Sequence, residues 1–161
     1  MFDGMKIVKI RPYDPDDLNE IVVLFGRSVR GIAGRDYSGE QIDAWAPERP
    51  DLDLWSKRLA SGTVLVAEVA GRVSGFARLE HSGSIDLLFV SPEIVRQGVG
   101  TALMAELLAK ARTLGIGTLS AEVSVVARPF FETHGFKVVR DQSVFRRGVE
   151  LRNHSMERTE R

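Results

Sequence analysis

The chain of 161 residues contains no cysteine, which excludes disulfides, thiolate metal sites and any covalent intermediate on a cysteine sulfur. Its three histidines, His81, His134 and His154, are scattered and give no metal-ligand spacing. Neither sign of charge is in excess: lysine plus arginine and aspartate plus glutamate number 22 each, so no general attraction to nucleic acid or membrane is implied. No apolar run is long enough to span a bilayer, and Met1-Phe2-Asp3-Gly4 does not open a signal peptide, so the expected location is the cytoplasm. Internal repeats and low-complexity linkers are absent too. At 43% hydrophobic and 27% charged residues, the composition fits one globular domain over residues 1–161. Its charged end, Glu157 to Arg161, is expected to fray.

What the chain does have is concentrated in residues 85–114. Ile85-Asp86-Leu87-Leu88-Phe89-Val90 has the length and apolarity of a strand and is stopped by Ser91-Pro92. After Arg96-Gln97-Gly98-Val99-Gly100-Thr101, the residues Leu103, Met104, Leu107, Leu108, Ala111 and Leu114 recur at helical spacing. The glycine loop therefore lies at the positive end of a helix, where N–H groups lack partners. Without Cβ atoms, Gly98 and Gly100 would let a phosphate approach the backbone closely, and Arg96 adds charge. The bland alternative is a glycine turn that merely enters a buried helix.

Two familiar phosphate loops do not fit. The dinucleotide fingerprint needs a third glycine or alanine where this chain has Leu103, and no Gly-Lys-Ser/Thr occurs. The stretch instead resembles the acyl-CoA loop of the GNAT superfamily of N-acetyltransferases, V-x-P-x followed by Q/R-x-x-G-x-G/A and an amphipathic helix. Val90-Ser91-Pro92-Glu93 and Gly98-Val99-Gly100 match, with Val95 in place of Gln or Arg. A second resemblance lies downstream, where the family has N-x-x-A and then F/L-Y-E-K-x-G-F. Ala127, Phe130, Glu132, Gly135 and Phe136 match it, whereas Ser124 replaces the Asn and Phe131 the Tyr.

The remaining elements follow the same family order. Met5 to Arg11 reads as a strand, and Asp14-Pro15-Asp16-Asp17 starts a helix ending at Gly31. Ser38 to Gln41 forms a capping box for a short helix reaching Trp45, and a further helix covers Leu52 to Leu59. Trp45 and Trp55 read as a small satellite core or as a substrate wall. Thr63–Val69 and Val73–Leu79 form a hairpin; Thr118–Val123, Lys137–Phe145 and Val149–Met156 supply the later strands. The resemblance implies an α/β fold with a mixed, mostly antiparallel central sheet of about seven strands flanked by helices.

It also implies a function: transfer of an acetyl group from acetyl-CoA to a small-molecule or protein amine by direct attack, without a metal and with a homodimer as one assembly. The cofactor arm would lie along Leu88, Phe89 and Val90, with Arg96, Gln97, Gly98, Val99, Gly100 and Thr101 on the pyrophosphate and Phe131 nearby. Strict alternation puts Ser84, Asp86, Leu88 and Val90 on one strand face and Ile85, Leu87 and Phe89 on the other. Asp86 is the first candidate for the amine's proton acceptor, ahead of Glu122 and Glu80. An aspartate merely satisfied by backbone or by Arg78 is the competing reading. Since the Phe131 ring has no proton to give, Tyr37, Ser124 or water would protonate the leaving thiolate. The rival from another class is a CoA-binding sensor of the same fold that transfers nothing.

Overall fold

A computed structural model of the chain describes residues 7–32, 36–94 and 96–160. Strand β1 (Val8–Pro12) ends at its proline and leads into a single 3-10 turn at Pro15–Asp17; residues 5 and 6, expected to open the strand, lie outside the described residues. Arg11 grips Asp17 with two bonds of 2.8 Å, and Asp17 also accepts from the Asp14 N–H. That fork fixes the corner between β1 and helix α1 (Leu18–Ile32) and holds the Asp17 carboxyl below the usual carboxylate range.

Two short helices follow. Helix α2 (Gly39–Trp45) starts with the reciprocal Ser38–Gln41 capping box, and α3 (Leu52–Leu59) is capped by Asp51. Strands β2 (Thr63–Val69) and β3 (Arg72–Leu79) turn through Ala70 and Gly71, both with positive φ as a two-residue hairpin turn requires. Then come β4 (Ile85–Val90), α4 (Val99–Thr113), β5 (Thr118–Ser124), α5 (Arg128–Thr133), β6 (Lys137–Arg146) and β7 (Val149–Thr159).

The seven strands are those expected, but they form two sheets rather than one. Strands β1 to β4 lie in chain order, all antiparallel, and β7 sits between β5 and β6. A single parallel bridge joins the two, Ser84 to Ser120, with the Ser120 N–H donating to the Gly83 carbonyl at 3.0 Å. The fraying expected at the C-terminal end does not extend to residues 157–159. They are the last rungs of β7, with Thr159 opposite Thr118 and Glu157 opposite Lys137.

Alternation along β2 divides the core. Leu65 and Ala67 pack under α4 with Leu103, Met104 and Leu107, whereas Val64 and Val66 face α1 with Ile21, Phe25 and Val29. Each of these side chains larger than alanine contributes about 1.5–3 kcal/mol on burial, so the two helices clamp the first sheet from both faces. Leu114, expected on the buried stripe of α4, is instead 52% exposed, because it is the helix's C-terminal cap rather than part of its last turn.

Helix α4 can approach β3 this closely because position 75 is a glycine. A Cβ there would stand 2.9 Å from Val99 Cγ1 and 3.1 Å from both Leu103 Cδ1 and the Phe89 carbonyl oxygen. Gly75→Val should therefore lower stability by about 1–3 kcal/mol through overpacking, read as a lower Tm. An unchanged Tm would show that the start of α4 is free to move away from the sheet.

Candidate active site

Beyond the Ser84–Ser120 bridge, β4 and β5 part, and no further backbone pair joins them among the described residues. Two clefts open from that gap. The smaller, of about 430 Å³, runs between Leu88, Phe89 and Val90 on one side and Ser124, Val126, Ala127, Phe130 and Phe131 on the other. Its floor is the start of α4. Gly98 caps that helix with φ +83°, makes no side-chain cap bond, and a Cβ added to it would meet nothing within 4 Å. The first backbone bond of the helix is Ala102 N–H to the Gly98 carbonyl, so the N–H groups of Val99, Gly100 and Thr101 have no intrahelical acceptor. Arg96, exposed and at φ +64°, stands at the same end. An anionic head with an apolar arm fits this cleft: free N–H groups and a cation at one end, hydrophobic walls along the rest.

The larger cleft, of about 1140 Å³, lies across the gap. Residues 45–48 and 50–51 line one side of it, together with Phe25, Trp55 and Phe89, while Ser120, Glu122, Ser124, Leu151 and Asn153 of the second sheet line the other. Phe89 gathers the aromatic wall: its ring lies 4.9 Å from Phe25, 5.7 Å from Phe76 and 6.4 Å from Trp45. Trp45 and Trp55 thus belong both to the core and to the wall. Two arginines hold the end of α2 in place, Arg30 donating to the Ala46 carbonyl and Arg147 to the Ala44 carbonyl, both at 2.7 Å. Phe89, Ser124 and Trp45 border both clefts, so the clefts meet there.

Asp86 lies in the larger cleft, and not on the face that strict alternation gives it. Leu79 pairs with Ile85 and Arg78 with Leu87, leaving Asp86 as the extra residue of a β-bulge. Ile85, Leu88 and Val90 consequently face α4, while Leu87 and Phe89 turn toward α1 and Asp86 joins them. Its Oδ2 accepts from Arg78 Nη1 at 2.7 Å and from Arg58 Nε at 3.1 Å; its Oδ1 is buried and has no partner among the described residues.

A family model described as an acetyltransferase (GNAT) domain matches residues 33–158. The chain belongs to that family. It is 38% identical over 153 residues to the uncharacterised N-acetyltransferase YafP of Escherichia coli (strain K12), covering 94% of this chain and 96% of that one. Among solved structures, a GCN5-related N-acetyltransferase from Rhodopseudomonas palustris superposes with a TM-score of 0.92 at 32% identity, over 96% of this chain and 97% of that one. The PaiA N-acetyltransferase of Thermoplasma acidophilum, solved with coenzyme A, has the same fold at 20% identity (TM-score 0.81, 96% and 99% covered). The family read from the two sequence motifs is therefore correct, and the domain is an acetyl-CoA-dependent N-acetyltransferase.

In this acetyltransferase Leu88, Phe89, Val90, Arg96, Gly98, Val99, Gly100, Thr101 and Phe131 all border the smaller cleft. Gln97 is exposed and does not contribute to that wall, and Val95, where the motif departs from the family, lies outside the described residues. Phe131 is 5% exposed and packs on Phe136, so its ring is as much core as lining. Glu80 and Glu122 border the larger cleft but are exposed and face Arg78 at 3.4 Å and Arg146 at 3.9 Å.

Tyr37 is a core residue rather than a loop side chain. It is 8% exposed, its hydroxyl donates to the Arg152 carbonyl at 2.9 Å, and that oxygen accepts from the Val125 N–H at 3.0 Å. Burial pushes its phenol above the ordinary value, so it keeps its proton, which the carbonyl already holds. Ser124 differs: its Oγ accepts from the Ala127 N–H at 3.1 Å, and its own proton has no acceptor among the described hydrogen bonds. Sequence reasoning missed Asn153, for it sits in an unremarkable run of β7 and only strand pairing brings it beside Ser124.

Tyr37→Phe would leave the Val125 N–H and the Arg152 carbonyl each short of a partner. A stability loss of about 1–3 kcal/mol is expected, with chemistry on a good acceptor retained. A collapse of kcat with an unchanged Tm would give the phenol a chemical role instead.

Proposed function

We propose that this acetyltransferase moves the acetyl group of acetyl-CoA to a primary amine, of a small molecule or of a protein, by direct attack at the junction of its two clefts. The observation that carries this reading is their meeting at Phe89 and Ser124, one cleft suited to an anionic head on an apolar arm and the other open and charged. Acetyl-CoA, when bound, supplies an activated carbonyl carbon on sulfur. The amine nitrogen forms a bond to that carbon, the carbon–sulfur bond breaks with its electron pair on sulfur, and the amine gives up one proton. The products are an acetamide and the free thiol. No cysteine is present to take the acetyl group first, which favours the direct route.

The residues divide the work by position. The open edge of β4 offers backbone N–H groups near Leu88 and Phe89 to the carbonyl oxygen. Asp86 Oδ1, unpartnered in the larger cleft, receives the amine's proton directly or through water, while Arg78 and Arg58 hold the other oxygen and fix the carboxylate's orientation. Ser124, whose proton is uncommitted, donates to the departing sulfur. The wall made by residues 45–51 contacts the body of the acceptor and sets its choice.

Thiol release with a panel of primary amines tests the reading as a whole; CoA binding without release for any amine would favour a non-catalytic binder. Gly98→Val places a branched side chain in the open space above the helix end and strains a φ of +83°. It should abolish CoA binding by calorimetry while the fold survives, at a cost of about 1–3 kcal/mol. Asp86→Asn should lower kcat about a hundred- to ten-thousand-fold with CoA affinity nearly unchanged. Because the same change weakens the Arg78 contact, the Tm is measured alongside; nearly full kcat in a folded variant would make Asp86 structural.

A further inference from the structure

Three buried side-chain atoms lack a hydrogen-bond partner among the described residues: Asp86 Oδ1, Asn153 Oδ1 and Gln142 Nε2. Buried polar atoms are nearly always paired, so each needs an explanation. Asp86 and Asn153 line the larger cleft, one from each sheet, whereas Gln142 is not part of its wall. Two buried acceptor oxygens without donors, on residues that border one cleft from separate sheets, match a ligand that supplies N–H groups once the side chains turn toward it. An anion would leave both unsatisfied.

The second sheet sets the position of Asn153. On β7, Leu151, Asn153 and Ser155 border the cleft, while Met156 lies in the core under α4. Asn153 pairs with Ser124 across one edge and with Gln142 across the other. Opposed residues on antiparallel strands have Cβ atoms about 4.5–5.5 Å apart, so the Asn153 amide is a near neighbour of Ser124 at the junction of the clefts.

We propose that Asn153 is a substrate-binding residue: its Oδ1 accepts an N–H of the primary amine beside Ser124 and turns the nitrogen lone pair toward the acetyl group. This rests on the transferase reading above. The task needs only an acceptor oxygen, which the amide supplies. Asp86, as a carboxylate, serves the proton that is lost; Asn153 serves one that stays. The competing explanation is local. Gln142 Nε2 and Asn153 Oδ1 belong to paired residues of β6 and β7, and a hydrogen bond between them would make the pair purely structural.

Steady-state thiol release with 2-phenylethylamine, n-hexylamine and an alanine-initiated tripeptide separates these. Asn153→Ala should lower kcat/KM for the best of the three about 5- to 100-fold, mainly through the acceptor KM, with the acetyl-CoA KM within about twofold of wild type. Asn153→Asp keeps an acceptor oxygen and should recover most of the loss, while Gln142→Leu should leave the acceptor KM unchanged. The proposal is overturned if Asn153→Ala keeps the wild-type acceptor KM, if the acetyl-CoA KM rises in step, or if Gln142→Leu reproduces the loss. Should Asn153→Ala fail to fold, Asn153→Asp decides: an acceptor KM within a few-fold of wild type supports the proposal, and a rise of tenfold or more ends it. A wild-type protein that releases no thiol with any of the three defeats the transferase reading and this proposal together. An active wild type indifferent to Asn153→Ala defeats this proposal alone.

Discussion

Strands β4 and β5 run parallel, share the Ser84–Ser120 rung, and then separate. A continuous sheet would satisfy the backbone groups along both edges; the separation leaves the facing edges without strand partners. Buried backbone groups left unpaired cost about 1–3 kcal/mol each, so the gap is stable only where water or an amide-bearing ligand reaches it. The bulge at Asp86 is part of the same arrangement, since a bulge bends its strand and increases the local twist. Phe130 lies directly against the first turn of α4, where its ring would meet a Cβ at Gly100 at 3.2 Å. The smaller cleft, the larger cleft and the junction between them are consequences of one interrupted strand pairing.

The two clefts differ in chemistry because different elements build them. The smaller is walled by β4, the start of α4 and the segment around α5, so it offers apolar surface and a helix N-terminus. The larger collects charged side chains from α1, α3, β5 and the β6–β7 turn, and most are already engaged. Arg30 and Arg147 hold carbonyls of α2, and Arg58 and Arg78 share one oxygen of Asp86. Two buried acceptor oxygens there, Asp86 Oδ1 and Asn153 Oδ1, lack a partner among the described residues.

The strongly patterned elements were legible. Helix α3, the Ser38–Gln41 cap, β2, β4 and the glycine loop all lie where periodicity, capping and turn chemistry put them, since those signals act within a few residues. Three placements were not legible. Asp86 changed faces because a bulge adds one residue to a strand without altering its composition. Tyr37 reads as a polar loop residue, yet its hydroxyl is bonded to residues 88 and 115 positions away. Residues 157–159, charged and terminal, are held as rungs against β5 and β6.

By itself the sequence determined the element order, and its two motifs carried the family by resemblance. The element order rests on short-range physics: apolar period, glycines at a helix start, a strand stopped by proline. The tertiary structure alone decided that the strands divide into two sheets, that Asp86 enters the larger cleft with one oxygen free, and that Asn153 stands beside Ser124. Those facts depend on register and on the parting of two strands. Register is set by packing between segments far apart in the chain, and no local pattern encodes it.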